Sequence, residues 1–149
     1  MRQIALTFLM ILFLFSCQKE KEAVDLSLED EIVSLVNQHR NTKGLSTLET
    51  STEAANEALI HSQNMAEGSV AFGHDGFDDR VASLKSKINQ SRTGENVAAG
   101  QTTAEEVMED WLNSDGHRAN IEGDFTHIGV GVAQTKEGEY YFTQIFVKL

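Results

Sequence analysis

Apolar residues recur at helical spacing in the segment that begins near Ser27. Positions 28, 32, 35 and 36 are all apolar and fall on one face of a helix. Ser27, with Asp30 three residues later, is a capping pattern that predicts the helix start, and Gly44 predicts its end. A second helix is predicted over residues 52–67, with a face made of small or apolar residues: Ala55, Leu59, Ser62 and either Met65 or Ala66.

Two further helices are predicted in the middle of the chain. The first covers residues 77–87, with Val81 and Leu84 pointing inward. Residues 88–100 are expected to be irregular or partly extended. The next helix begins at Thr103, where Glu106 completes a Thr-x-x-Glu capping box, and it buries Val107 and Trp111 before running into the segment Ser114-Asp115-Gly116-His117.

The C-terminal part has the two-residue period of β-strands. Residues 128–132 (Ile-Gly-Val-Gly-Val) and residues 140–147 (Tyr-Tyr-Phe-Thr-Gln-Ile-Phe-Val) are predicted strands, and residues 136–139 form the polar turn between them. Helices followed by a terminal hairpin predict an α+β domain of packed layers.

The N-terminal segment predicts export and lipid attachment. Arg2 precedes an apolar run that is short for a permanent membrane helix, so residues 1–16 are expected to be a signal peptide. Leu14-Phe15-Ser16-Cys17 resembles a lipobox, which makes Cys17 the lipidation site, although a plain signal peptide with an incidental thiol is an alternative. Residues 17–27 would then be a tether, residues 28–149 the folded domain, and the location the cell envelope, lipid-anchored in an outer membrane or facing the periplasm or cell surface.

The charge of the chain excludes several classes of partner. Its net charge is −11, whereas a nucleic-acid-binding surface must be basic. The same charge disfavours electrostatic adsorption to anionic lipid, so the membrane would be reached only through the N-terminal lipid. Since Cys17 is the one cysteine, the domain must be stable without a disulfide, and we expect a monomer.

Three short polar segments beside glycines carry the candidate chemistry. They contain His74, Glu95 and His117. Side chains from separate loops can converge on one site, and neutral imidazole is a common metal ligand that a carboxylate can orient. An alternative is that Glu95 only accepts hydrogen bonds from backbone N–H groups of its own loop, with Asn96 acting similarly.

The segments Gly73-His74-Asp75-Gly76-Phe77, Gly94-Glu95-Asn96-Val97-Ala98 and Trp111–Ile121 resemble, in order and flanking residues, the CAP superfamily of cysteine-rich secretory, antigen 5 and pathogenesis-related 1 proteins, most of all its bacterial secreted branch. The resemblance implies a three-layer α-β-α sandwich over roughly residues 28–149, with a small antiparallel sheet and about four helices. It also implies a cleft of two His and two Glu, in which His74, Glu95 and His117 match three members.

The fourth member of that cleft is different in this chain. Ser114 stands at the spacing of the second Glu of the eukaryotic pattern, and Asp115 stands where bacterial relatives commonly carry Pro. Asp115 would either restore a carboxylate near the site or only turn the chain, because Asp-Gly is a strong turn signal.

A divalent metal, zinc or a similar cation, is an open alternative, with His74 and His117 as candidate ligands and a water in an open position. Both imidazoles must be neutral to bind metal, so binding would be lost at about pH 5–6.5, and Glu95 is expected to move that window upward. The other histidines, His39, His61 and His127, are expected to be structural.

Three functions follow as alternatives. The first is a binding module whose cleft takes a lipid, glycan or protein ligand of the envelope or the extracellular space. The second is a metal-dependent hydrolase or peptidase; covalent nucleophilic catalysis has little support, since no Gly-x-Ser-x-Gly motif is present. The third is a structural envelope protein with a relict pocket. The sequence favours binding over enzymatic activity.

Overall fold

The computed structural model describes residues 26–149, so the predicted signal peptide, Cys17 and most of the predicted tether lie outside the described residues. The described part consists of α1 (Leu28–Thr42), β1 (Glu49–Thr50), α2 (Thr52–Ala66), α3 (Phe77–Lys87), β2 (Arg92–Ala99), α4 (Ala104–Asn113), α5 (Asp115–Ile121), β3 (His127–Gln134) and β4 (Tyr140–Lys148). Within residues 26–149 no helix is both long enough and apolar enough to span a membrane.

The four strands form one mixed sheet in the order β1-β3-β4-β2. The pairs β3–β4 and β2–β4 are antiparallel, but the short β1 runs parallel to β3, with Glu49 opposite His127. The expected small antiparallel sheet therefore carries one parallel edge. At the other edge lies β2, which pairs with β4 over its whole length, from Arg92 opposite Lys148 to Ala99 opposite Tyr141.

Helices cover both faces of the sheet, which confirms the predicted α+β three-layer sandwich. One face packs against α1, α4 and α5, and its core includes Ile32, Val36, Val107, Trp111, Ile121, Phe142 and Phe146. The other face packs against α2 and α3 through a smaller cluster of Ala54, Ala58, Leu84, Ile145 and Val147. Because side chains alternate along a strand, Glu95 and its neighbour Asn96 point to opposite layers.

The predicted helix starts are confirmed by their caps. The Ser27 hydroxyl accepts a hydrogen bond from the Asp30 amide, and the Thr103 hydroxyl accepts one from the Glu106 amide, both at 3.2 Å. In the predicted capping box the Glu106 carboxylate would accept from the amide of Thr103. In the structure it accepts from the amide of Thr102 instead, at 2.7 Å. These caps fix where α1 and α4 begin.

The predicted buried face of α2 is correct at Ser62 and Met65 but shifted by one residue in the first half of the helix. Ala54 and Ala58 are fully buried, while Ala55 and Leu59 are only partly buried. The reason is that α2 lies directly on the backbone of β3. A Cβ added to Gly129 would lie 2.1 Å from the amide nitrogen of Ala55, so this contact admits only glycine on the strand.

Residues 88–100, expected to be irregular or partly extended, contain the regular strand β2. Both faces of β2 are covered, so its side chains do not alternate between apolar and polar. This is why the two-residue period of a strand is not visible in its sequence. The predicted fourth helix ends at Asn113, and Asp115 begins a separate fifth helix, so the Asp-Gly pair is helical rather than a simple turn.

Candidate functional site

Glu95 is a buried carboxylate on the face of β2 that packs against α2 and α3. Its side chain is 2% exposed. Arg80 of α3 donates to both carboxylate oxygens, from Nε to Oε2 and from Nη2 to Oε1, each at 2.7 Å. The alternative of backbone N–H partners for Glu95 is thus not observed, and its carboxylate is bonded by side chains. A bidentate guanidinium compensates the buried charge better than neutral amides do.

His74 lies in the loop before α3 and joins the same carboxylate. Its Nδ1 donates to Oε1 of Glu95 at 2.9 Å, and 52% of its side chain is exposed. The residues on both sides are also held. His61 donates from Nε2 to the carbonyl of Gly73 at 2.8 Å, and Arg80 donates from Nη1 to the carbonyl of Asp75 at 2.9 Å.

His117 lies on α5, on the opposite side of β2, and is half-buried. Its carbonyl accepts a hydrogen bond from Nδ2 of the buried Asn96 at 3.1 Å. Asn120 of the same helix donates from Nδ2 to the Glu95 carbonyl at 3.0 Å and to Oδ1 of Asn96 at 2.9 Å. The Gly-Glu-Asn segment and the His-x-x-Asn segment are therefore locked together by amide side chains.

The electrostatics of the site favour a neutral His117. Burial lowers the pKa of His117, and positive charge on His74 lowers it further, so the two imidazoles sense each other. Burial is also the main reason that the pKa of His61 is lowered. The expected upward move of the metal-binding pH window is therefore wrong for His117, because burial and the charge of His74 both lower its pKa.

Ser114 lies between α4 and α5, and Asp115 is the first residue of α5. Ser114 caps the start of α5 without a side-chain hydrogen bond to the helix. The Asp115 carboxylate forms an ion pair with Arg118 of the same helix, and the Asp115 side chain is 95% exposed. The Asp115 carboxylate is thus paired at the surface of α5 and does not join Glu95 as a second acidic group.

Sequence reasoning missed Arg80 and gave His61 only a structural role. A usable signal for Arg80 existed, since it lies four residues before Leu84 and so shares the inward face predicted for that helix. Arg80 and Leu84 are both buried. No pattern in a single sequence shows that His61 holds the Gly73 carbonyl, because the contact joins a helix to a loop twelve residues away.

A zinc centre with three protein ligands does not fit these residues. Within residues 26–149 no group of three or more His, Cys, Asp and Glu side chains is arranged to hold a metal ion. Both oxygens of Glu95 are bonded to Arg80, and Asp115 is paired with Arg118. His74 and His117 would thus supply two nitrogen ligands at most, fewer than zinc takes in structural or catalytic sites.

Several proteins are similar to this chain. The uncharacterized protein YkwD of Bacillus subtilis is 38% identical over 111 residues, and the uncharacterized membrane protein YlbC of the same organism is 34% identical over 131 residues. These matches cover 72% and 84% of this chain but only 43% and 36% of the relatives. The crystal structure of an extracellular SCP-domain protein from Bacillus anthracis matches with a TM-score of 0.69 and 30% identity, over 82% of this chain and 40% of the other.

The family match covers most of the folded domain. The model of the CAP, or cysteine-rich secretory protein, family matches residues 33–146, from within α1 to within β4. The three motif segments and the three-layer sandwich agree with this match. The chain therefore belongs to the CAP family of cysteine-rich secretory proteins.

Proposed function

We propose that this protein is an extracytoplasmic CAP-domain binding module, held in the cell envelope by a lipid on Cys17, that takes its ligand at the cleft around His74 and His117. Similarity to an extracellular bacterial protein and to a membrane protein supports a secreted or envelope location. The predicted signal peptide and lipobox support the anchor. A lipid, a glycan and a protein remain the candidate classes of ligand.

One observation carries the binding function: the His74 side chain is half exposed, yet its ring is held by a hydrogen bond to a buried residue. The Nδ1 atom is bonded to a buried carboxylate, so Nε2 remains for a contact outside the protein. Holding a polar group in place before binding reduces the entropy lost on association. His117, half-buried and favoured in its neutral form, is the second imidazole of the proposed cleft.

The residues do not favour the metal-dependent hydrolase. A general base must be able to take a proton, but the buried Glu95 carboxylate is already bonded to the Arg80 guanidinium and to His74. Among residues 26–149 no three possible metal ligands lie together, which also disfavours a metal-dependent hydrolase. If the cleft has no ligand, the remaining alternative is a structural role in the envelope.

Site-specific crosslinking in living cells tests the proposal. A photoreactive amino acid at Ser114, three residues before His117 and therefore on the same side of α5, would trap what enters the cleft, and one at the exposed Lys136 in the β3–β4 turn is the control. We expect an adduct at position 114 only, lost in the His74→Ala/His117→Ala variant, with a mass that identifies the ligand class. No adduct, or the same adduct in the double variant, would contradict a ligand-binding cleft.

The anchor is tested separately by mass spectrometry of the native N-terminus. We expect acyl chains on Cys17 and release of the Cys17→Ala variant from the membrane fraction. An unmodified N-terminus at another residue would refute lipid anchoring and leave the cleft proposal intact.

A further inference from the structure

We infer that Arg80 is a positioning residue of the cleft: it fixes the proton of His74 on Nδ1 and so presents the Nε2 lone pair to solvent. The inference rests on the proposed role of His74 as a contact residue. Arg80 is buried and its donors are bonded inside the protein, so it acts through other residues.

The first step is the state of the carboxylate. Arginine is always protonated, and its planar fork matches the two oxygens of an ionised carboxylate. Arg80 makes that bidentate contact with Glu95, with both bonds at 2.7 Å. An ionised carboxylate has acceptor sites only. Any other group that forms a hydrogen bond with the Glu95 carboxylate must therefore be the donor.

The second step is the consequence for the ring. His74 reaches Glu95 through Nδ1, at 2.9 Å, so the Nδ1 atom carries the proton. In a neutral imidazole the other nitrogen then holds the lone pair. Arg80 also fixes the plane of the carboxylate through its two bonds, so that Oε1 faces the ring. Without Arg80 the carboxylate is free to turn, and the hydrogen bond that selects one tautomer of His74 is lost.

The third step is the position of the loop. Besides Glu95, Arg80 bonds the carbonyl of Asp75, directly after His74, and His61 bonds the carbonyl of Gly73, directly before it. The imidazole is therefore held at its ring and at both flanking peptides. Arg80 contributes to two of these three restraints, and all of its contacts lie within the same loop and strand.

The fourth step identifies a matched control on the same helix. Lys87 of α3 bonds the Glu57 carboxylate of α2 at 2.8 Å, and Ser83 bonds the same oxygen at 2.5 Å. Removing Lys87 loosens the α2–α3 contact without touching Glu95 or the His74 loop. A Lys87→Met variant therefore reports the general effect of disturbing α3.

The test uses side-chain nitrogen NMR of the ligand-free protein, at about pH 8, well above the ordinary histidine pKa of ~6.5. Long-range proton–nitrogen correlation spectra distinguish the two neutral tautomers of His74. We expect the wild type and Lys87→Met to show a proton on Nδ1, and Arg80→Gln to lose this single-tautomer pattern. Arg80→Lys keeps a cation beside Glu95, so we expect it to restore the pattern.

Three results would overturn the inference: a wild-type His74 with its proton on Nε2, an unchanged pattern in Arg80→Gln, or an equal loss in Lys87→Met. Failure of Arg80→Lys to restore the pattern would also contradict the argument from the carboxylate charge. Circular dichroism and amide spectra of each variant establish that it is folded. Because no ligand is added, failure of the crosslinking experiment leaves this result standing, and the reverse also holds.

Discussion

The side-chain amide of Asn120 donates a hydrogen bond to the main-chain oxygen of Glu95 at 3.0 Å, which joins α5 to the edge strand β2. A second carbonyl on this strand, that of Val97, accepts from the indole nitrogen of Trp111 at 3.1 Å. Exposed edge strands are templates for pairing with other chains, and here side chains occupy the acceptors. The same contacts place His117 beside the strand that carries Glu95.

Removing the Asn120 amide should weaken the whole domain. The Asn120→Ala variant leaves the Glu95 carbonyl and Oδ1 of Asn96 without their donor. Because a buried acceptor without a partner costs about 1–3 kcal/mol, we expect the free energy of unfolding to fall by about that amount. Urea denaturation measures it. Asn56→Ala, at an exposed position of α2, is the control and should change stability by less than about 0.5 kcal/mol.

A methyl group on Gly131 should be far more harmful than one on Gly116. At Gly131 the added Cβ would lie 2.1 Å from the amide nitrogen of Leu59, so α2 would have to move off the sheet. We expect Gly131→Ala to lose about 3 kcal/mol or more. At Gly116, on α5, a Cβ meets nothing within 4 Å, and the helix should gain up to about 1 kcal/mol. Similar thermal shifts for the two variants would contradict the close contact between α2 and β3.

The parts of the fold that follow from local patterns were predictable from the sequence. Helix starts at Ser27 and Thr103 depend on capping groups within three residues, and the terminal hairpin depends on a two-residue period. The segment of β2 was predicted only as irregular or partly extended, because its burial comes from helices on both faces, which removes the alternating pattern. The parallel pairing of β1 was missed because it involves two residues only.

For the site, the motifs identified the residues but not their partners. His74, Glu95 and His117 were named from short segments, and their joint function stays a prediction. The bonds from Arg80 and His61 cross elements that are distant along the chain, so no local rule contains them. Asp115 illustrates the limit, since its pairing with Arg118 depends on a fifth helix that the Asp-Gly signal did not indicate.

Acidification should destabilise the protein through two imidazoles before most carboxylates titrate. Burial lowers the pKa of His61 and of His117 in the native state. In the unfolded chain both return to about 6.5, so below that pH the unfolded state binds more protons. The free energy of unfolding should therefore be constant above about pH 7 and fall as the pH decreases through the lowered native pKa values.

Urea denaturation between about pH 8 and about pH 5 measures this slope, in a range that lies above the ordinary carboxyl pKa values. The His117→Gln variant lacks one of the two groups and should give a shallower decrease than the wild type. A decrease of equal steepness in this variant, or none in the wild type, would show that His117 does not titrate as described.

Zinc should bind only weakly at His74 and His117, because these two side chains supply just two nitrogen ligands and Glu95 is bonded to Arg80. We expect an affinity far below the roughly 10–16 kcal/mol of structural four-ligand zinc sites. Since burial keeps His117 neutral to a lower pH, its protonation should weaken binding only under acidic conditions. Calorimetric titration at about pH 7.5 and about pH 5.5, on the wild type and on His117→Ala, checks both points.

Tight binding at the higher pH, abolished in His117→Ala, would reveal ligands that the described residues do not bring together and would reopen the hydrolase hypothesis. Equal binding by both proteins would place the metal away from His117.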